Sequence, residues 1–519
     1  MMRCSLYLLG GSVISTDKKY LVATGIGLFA FVYASFFLQG LRLFDNDYNQ
    51  WLTYARENSL ATALWQVFNP ILSAWNVDFR PTQTLIFKAL FALFDYNASG
   101  YYYFKALMLA LFSAGYFLLL RRYLGSPMVA ALSAIFLVTA SSTFTSLYWI
   151  SDFVIVSEFL ALLVFAIFLH LESLEQVDRK TLIVWIALMV ILTLICDRTK
   201  ANGKLIPAIL FLYLLLFDRS KLKRYGVAIV LMVVILLPWP VLLSDPAPFL
   251  VAKAGTPAAY AWQPASLQKF WILFAGDFAP YSLLYSEHPP ISVTAVLGFP
   301  LVYLGLFAAG WLIYRRVPAS PPVRFMMVWL VVNLLALMSY PYLPAHFQAR
   351  YAISVLIPLV PLILLVIQSA FGRISNIGRW SAGLLTVFVL VQIGFNVFHT
   401  VRMRNIGMPG FMIASGAVRE YIASNFSDAG FIYYNMPVFA FRPTTDGNQF
   451  FSSGSDPLSD VIAALPAGTP LYVISSTPIY SPDLGLHAAF PGRSDNWYDR
   501  IFNRDAKQLP ITFYLYEMR

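Results

Sequence analysis

The sequence predicts an α-helical protein that crosses a membrane about eleven times and ends in a small α/β domain on the outer side. Three observations lead there. Of the 519 residues, 59% are hydrophobic and only 12% charged, whereas an ordinary soluble domain carries roughly 25% charged residues. Apolar runs long enough to cross a hydrocarbon core, which takes about 20 residues each, recur along the first 400 positions. Every second connection between those runs is short and basic, which is the charge asymmetry of cytoplasmic loops.

The expected spans are 20–40, 101–120, 128–147, 153–171, 181–197, 204–217, 226–243, 292–314, 325–340, 351–370 and 380–399. With the N-terminus inside, the inner connections hold Lys18 and Lys19, Arg121 and Arg122, Arg179 and Lys180, and Arg219 to Arg224. Further along they hold Arg315, Arg316 and Arg324, then Arg373 and Arg379. These loops absorb most of the net charge of +10, so the basic balance reads as membrane topology and no nucleic-acid partner is expected. The first fifteen residues lack a clear cleavage signature, and 21–38 reads as an uncleaved anchor. Cys4 and Cys196 give no disulfide framework; Cys196 sits in an apolar run and reads as a small core residue. The weakest spans are 181–197 and 204–217, joined by a charged stretch, and they could instead form one re-entrant hairpin.

The outer connections are unequal. The first, 41–100, contains an amphipathic stretch over 55–68 that suits a helix lying in the interface. Its apolar stretch at 82–94 is too short to span and reads as re-entrant or interfacial. A second long outer stretch, 244–291, is broken repeatedly by proline. Beyond residue 400 the hydropathy falls. There 417–426 reads as a surface helix, 431–434 as a strand, 456–465 as a helix opened by a capping Asp, and 471–475 as a strand. The domains are therefore 1–400, membrane-embedded, and 401–519, an outer α/β unit. No internal repeat is evident, which weighs against an inverted-repeat transporter.

The chemistry-bearing residues cluster at outer ends. Asp45 and Asp47 follow the first span directly, where carboxylates are costly unless they work at the boundary. Such a carboxylate can take a proton from a hydroxyl or amine, or the pair can hold a divalent cation such as Mg²⁺ or Mn²⁺; a solvated loop start is the plain alternative. Arg350, opening a late span, has the planar fork that grips phosphate oxygens in pairs, or else snorkels to the interface. Lys200 and Lys204 could add point charge and His346 a hydrogen bond, or all three could be ordinary loop residues. Arg80 could pair with Asp78 or Asp47. Asp152 and Glu158 stand at the outer start of a span, and Glu158, inside it, is expected to face the protein interior. The sequence contains no zinc spacing, nucleotide-binding glycine loop or GxSxG.

Five stretches carry a family resemblance: Asp45-Asn46-Asp47-Tyr48; Arg80-Pro81; Leu147 to Asp152, leading to Glu158; Asp197-Arg198-Thr199-Lys200 up to Pro207; and His346 to Tyr351 before Pro358 and Pro361. With them the chain resembles the GT-C-fold glycosyltransferases. That multispan class uses polyprenyl-phosphate-linked sugars and includes protein O-mannosyltransferases and lipid A aminoarabinose transferases. The resemblance covers most of the first 400 residues. It implies a general base or metal ligand at Asp45 or Asp47, since the sequence has Asp-Asn-Asp where many members have adjacent acidic residues. It also implies donor-phosphate contacts from Arg350, His346, Lys200 and Lys204, with Arg80, Asp152 and Glu158 in support. The partners implied are a polyprenyl-phosphate-linked sugar, membrane lipids, and a glycan, lipid or protein acceptor. The setting implied is a bacterial or archaeal-type plasma membrane with the site and C-terminus outside. Two other classes share this many spans: a transporter or lipid-linked sugar flippase, and an O-antigen-type polymerase or ligase. The second would want an arginine-rich outer loop, and 244–291 contains no arginine.

Overall fold

The computed structural model describes residues 16–39, 41, 59–68, 80–95, 97–150, 152–174, 177–236, 320–339, 352–372, 381–406, 408–427, 429–434, 449–452, 458, 470–491 and 512–518. The helices are α1 (Thr16–Leu38), α2 (Leu60–Phe68), α3 (Pro81–Phe94), α4 (Ala98–Leu124), α5 (Pro127–Thr139), α6 (Ser141–Tyr148) and α7 (Val154–Ser173). They continue with α8 (Arg179–Thr199), α9 (Leu205–Phe217), α10 (Leu222–Leu236), α11 (Pro321–Ser339), α12 (Ile353–Gly372), α13 (Ser381–Ile406) and α14 (Met408–Asn425). Among the described residues four helices, α1, α4, α7 and α8, are each long and apolar enough to cross a bilayer. The chain is an integral membrane protein. The expected span 292–314 and the expected helix 456–465, apart from Leu458, lie outside the described residues.

Local sequence starts and stops these helices. Asn97 caps α4 by accepting from Ser99 N at 3.1 Å, and Gly125, at φ 70°, ends it in the left-handed region. Ser126 then caps α5, with Pro127 in its first turn. The expected span 128–147 is not one straight helix: α5 and α6 meet at Ala140 and are bent by 49°. Asp178 caps α8 by accepting from Thr181 N at 3.0 Å. α8 is a full-length span, and a 3-10 turn, Ala201–Lys204, links it to the shorter α9.

Packing follows membrane rules. Ala23, Ala30 and Ala34 are buried along α1, and a Cβ on Gly27 would sit 3.3 Å from the Ala110 carbonyl of α4. Small residues here let two backbones approach where apolar surface alone provides no drive. Two prolines inside α12 free the carbonyls four residues earlier. Pro358 frees Ser354 O, which accepts from Asn333 Nδ2 of α11 at 2.9 Å; Pro361 frees Ile357 O, which accepts from the Tyr116 hydroxyl of α4 at 2.5 Å. Neighbouring helices thus supply the donors that the prolines remove.

Two helices also form in the connection between α1 and α4. α3 runs from Pro81 to Phe94, and its Thr82 hydroxyl reaches the Ile195 carbonyl of α8 at 3.5 Å. Of the expected helix over 55–68, residues 55–58 lie outside the described residues and α2 covers 60–68, burying Ala63 and Val67 while Leu60, Leu64, Trp65 and Phe68 stay exposed.

The C-terminal sheet comprises β1 (Gly430–Tyr434), β2 (Gln449–Ser452), β3 (Leu471–Ser475), β4 (Leu484–Pro491) and β5 (Thr512–Met518), ordered β2-β1-β3-β5-β4. β2, β1 and β3 are parallel, β5 and β4 antiparallel, with an irregularity between Leu486 and Ala488. α14 is longer than the expected 417–426 and is not merely a surface helix. Ala414, Val418 and Ile422 bury against Phe431, Ile474, Phe513 and Leu515, while the alternate residues Ile432, Val473 and Tyr516 form the core of the opposite face.

Candidate functional site

One end of the bundle gathers charge in an apolar setting. The approach to α7, the C-terminus of α8 with its 3-10 turn, and the first turns of α3 and α12 converge there. Lys200, at the residue that ends α8, is buried and donates to Asp152 Oδ1 at 2.5 Å; the Asp152 carboxylate is fully shielded from solvent. The pair brings together two residues 48 apart in sequence, one ahead of α7 and one at the end of α8. A buried pair of this kind holds its geometry against solvent competition, because the desolvated charges have little else to bind.

The turn around Lys200 is built tightly. Lys200 N closes on Cys196 O at 2.9 Å, and Gly203 N on Lys200 O at 3.3 Å. A Cβ at Gly203 would fall 2.6 Å from Asp197 Cα, so only glycine lets the turn fold back on the helix end. Arg198 is buried, and its Nε has no hydrogen-bond partner among the described residues; the same holds for Asp197 Oδ1. Lys204 is exposed, though near enough to Asp197 for its charge to act there.

Glu158 faces the protein interior as expected. It is buried in α7 and accepts a hydrogen bond from the Ser354 hydroxyl in the first turn of α12. Asn333 holds the carbonyl of the same serine, so α7, α11 and α12 meet at one polar junction. Arg80, half-buried, sits just ahead of α3. Its guanidinium lies 3.5 Å from Gln83 Oε1, a long contact, and its carbonyl accepts from Thr84 N at 3.0 Å. Asp45, Asp47, Asp78, His346 and Arg350 lie outside the described residues. Leu41 is buried in the core that encloses this end, and Phe37 of α1 contacts Phe144 of α6 at 6.2 Å.

Of the nine residues selected from sequence, the structure brings Asp152 and Lys200 into direct contact and places Glu158 on the same helix as the approach from Asp152. Lys200 is therefore not an exposed loop lysine. Sequence reasoning passed over Lys105, although it lies inside an expected span and the rule that singled out Glu158 applies equally to it. Lys105 is buried in α4, donating to Ser146 O at 2.7 Å and also to Trp149 O. Ser354 and Asn333 were also passed over; a lone Ser or Asn in an apolar run gives no comparable signal. Among the described residues no group of three or more His, Cys, Asp or Glu is arranged to hold a metal ion.

Chemically, the site offers two buried cations, the Lys200 ammonium held by Asp152 and the Arg198 guanidinium, groups of the kind that bind anions. A scan of known protein families gives no match, and a search of curated proteins gives none. Among solved structures, the chain is similar to the crystal structure of ArnT from Cupriavidus metallidurans bound to undecaprenyl phosphate. The TM-score is 0.53 at 15% identity, covering 97% of this chain and 98% of that one. The likeness extends through the helical bundle and the C-terminal sheet, so the fold is the helical polytopic GT-C fold.

Proposed function

We propose that the protein is an integral-membrane glycosyltransferase that moves a sugar from a polyprenyl-phosphate-linked donor to an acceptor at the outer face of the membrane. The supporting observation is a fold shared over nearly all of both chains with a structure holding undecaprenyl phosphate. Lys200 and Arg198, two buried cations at one end of that fold, carry the sign of charge that a lipid phosphate needs, with Asp152 holding Lys200 in place.

The reaction requires an acceptor hydroxyl or amine to attack the anomeric carbon, breaking its bond to the phosphate oxygen. The acceptor proton passes to a base, and the polyprenyl phosphate leaves with the bonding pair. Asp45 or Asp47 takes the proton in this reading, with Asp45 preferred because it stands closer to the span end. Arg350, with its planar fork, grips the phosphate; Lys200, Lys204 and His346 add charge and hydrogen bonds. Arg80, Asp152 and Glu158 support the site. A divalent cation held by Asp45 and Asp47 is a separate element, decided by whether a chelator abolishes activity and Mg²⁺ or Mn²⁺ restores it.

The test is purified protein with a radiolabelled polyprenyl-phosphate sugar, scored for transfer to an acceptor against movement of the intact lipid. Transfer is expected; movement without transfer overturns the proposal. Asp45→Asn or Asp47→Asn should lower turnover by about 100-fold, the scale of general-base assistance, while donor binding persists. Arg350→Lys should weaken donor use and Arg350→Ala weaken it further. Parental rates in both would leave Arg350 as an interfacial anchor.

A further inference from the structure

A lysine buried inside a membrane span is expensive unless its charge is used. Lys105 lies in the second turn of α4 and donates to two carbonyls at the end of α6, Ser146 O at 2.7 Å and Trp149 O. Tyr102, one helical turn earlier on the same face, donates to the neighbouring carbonyl, Tyr148 O, at 3.2 Å. α6 ends within the protein, where Leu147, Tyr148, Trp149 and Ile150 are all buried. The last carbonyls of a helix have no partners within it, and here α4 supplies them from outside. An ammonium also suits the negative end of the α6 dipole.

The same contact reaches one step further along the chain. The Trp149 carbonyl that accepts from Lys105 also accepts from the backbone N–H of Asp152 at 3.0 Å. Asp152 in turn holds Lys200. The Lys105 ammonium also lies 5.7 Å from the Phe153 ring, on the far side of the same turn. We infer that Lys105 is a positioning residue for the donor-phosphate site: by clamping the turn at Trp149 it sets where Asp152 presents Lys200. This inference rests on the glycosyltransferase reading above and adds a residue that acts without touching the donor.

The test compares Lys105→Met, Lys105→Gln, Asp152→Asn and the Lys105→Met/Asp152→Asn double variant, all as full-length protein in detergent or nanodiscs. Readouts are KM and kcat for the polyprenyl-phosphate sugar and direct binding of undecaprenyl phosphate. Lys105→Met should raise donor KM about tenfold, the scale of one lost charged contact, with kcat little changed. Lys105→Gln, which keeps two N–H donors, should fall between Met and wild type. The double variant should match Asp152→Asn alone, because both changes act through one pair. A lysine needed only for folding would lower the active fraction and so the apparent kcat, leave KM in place, and combine additively with Asp152→Asn. That pattern overturns the inference, as does failure of both the Met and Gln variants to yield folded protein. If the wild-type protein neither transfers sugar nor binds undecaprenyl phosphate, the glycosyltransferase reading fails first. If wild type binds and Lys105→Met binds equally well, the positioning inference alone fails.

Discussion

Asp152 and Lys200 carry opposite charges where solvent barely reaches, so each depends on the other. Removing one partner breaks a buried ion pair, a loss of about 3–5 kcal/mol. Lys200→Met is therefore expected to lower the melting temperature in detergent sharply, and Asp152→Asn added to it should recover part of the loss. Equal or greater loss in the double variant would mean the pair is not the coupled unit seen here. A different balance holds at Asp218, between α9 and α10 and outside the spans. The Ser220 hydroxyl, donating at 2.6 Å, holds its carboxyl below the usual carboxylate range, and Lys221 at 3.2 Å acts in the same direction. A depressed carboxyl contributes stability above the ordinary Asp value of about 3.9, and that contribution is lost as pH falls through the lower folded value. The melting-temperature gap between wild type and Asp218→Asn should therefore be widest near neutral pH and close on acidification. A gap that widens toward acid would contradict the assignment.

At the scale of elements, α12 depends on its neighbours because its two prolines break its own hydrogen-bond ladder. Asn333→Leu leaves Ser354 O without its donor, at a cost of about 1–3 kcal/mol for an unsatisfied buried group. In a Pro358→Ala background the restored N–H can bond Ser354 O, so the same Asn333→Leu change should cost much less. A double-mutant cycle read by thermal unfolding decides this; full additivity would show that Asn333 acts elsewhere. The turn between α8 and α9 is equally exacting. Gly203→Ala must displace the Asp197 backbone, an overpacking penalty of about 1–3 kcal/mol, and should carry Lys200 with it. Loss of stability together with weaker undecaprenyl-phosphate binding is expected; unchanged binding would separate the turn from the site.

At the scale of the whole molecule, the alternation of basic connections assigns sides. A reporter fused after Arg519 should behave as exoplasmic and one fused after Arg224 as cytoplasmic. A cytoplasmic C-terminus would place the sheet opposite the face on which the proposed chemistry needs it.

The sequence by itself determined the class of fold. Hydropathy is a local property, so runs of about 20 apolar residues locate α1, α4, α7 and α8 without tertiary information. The short runs of aromatic and β-branched residues at 431–434 and 471–475 likewise locate β1 and β3, because such runs, too short for a helix, suit a strand buried on both faces. Glu158 was legible for a related reason: a charge in an apolar run is anomalous wherever the run packs. Only the tertiary structure decided which polar residues meet. Nothing near Lys200 names Asp152 as its partner, since the pairing depends on how α7 and α8 lie together. The break at Ala140 falls where the apolar run of α5 gives way to the hydroxyl-rich Ser141–Tyr148, a change that sequence reasoning passed over, and it is the donors on α4, Tyr102 and Lys105, that let α6 end inside the protein. The partners of the carbonyls freed by Pro358 and Pro361 were hidden in the same way. A proline announces which carbonyl it orphans, but the donor that satisfies it comes from whichever helix packs alongside, and packing is a property of the whole chain.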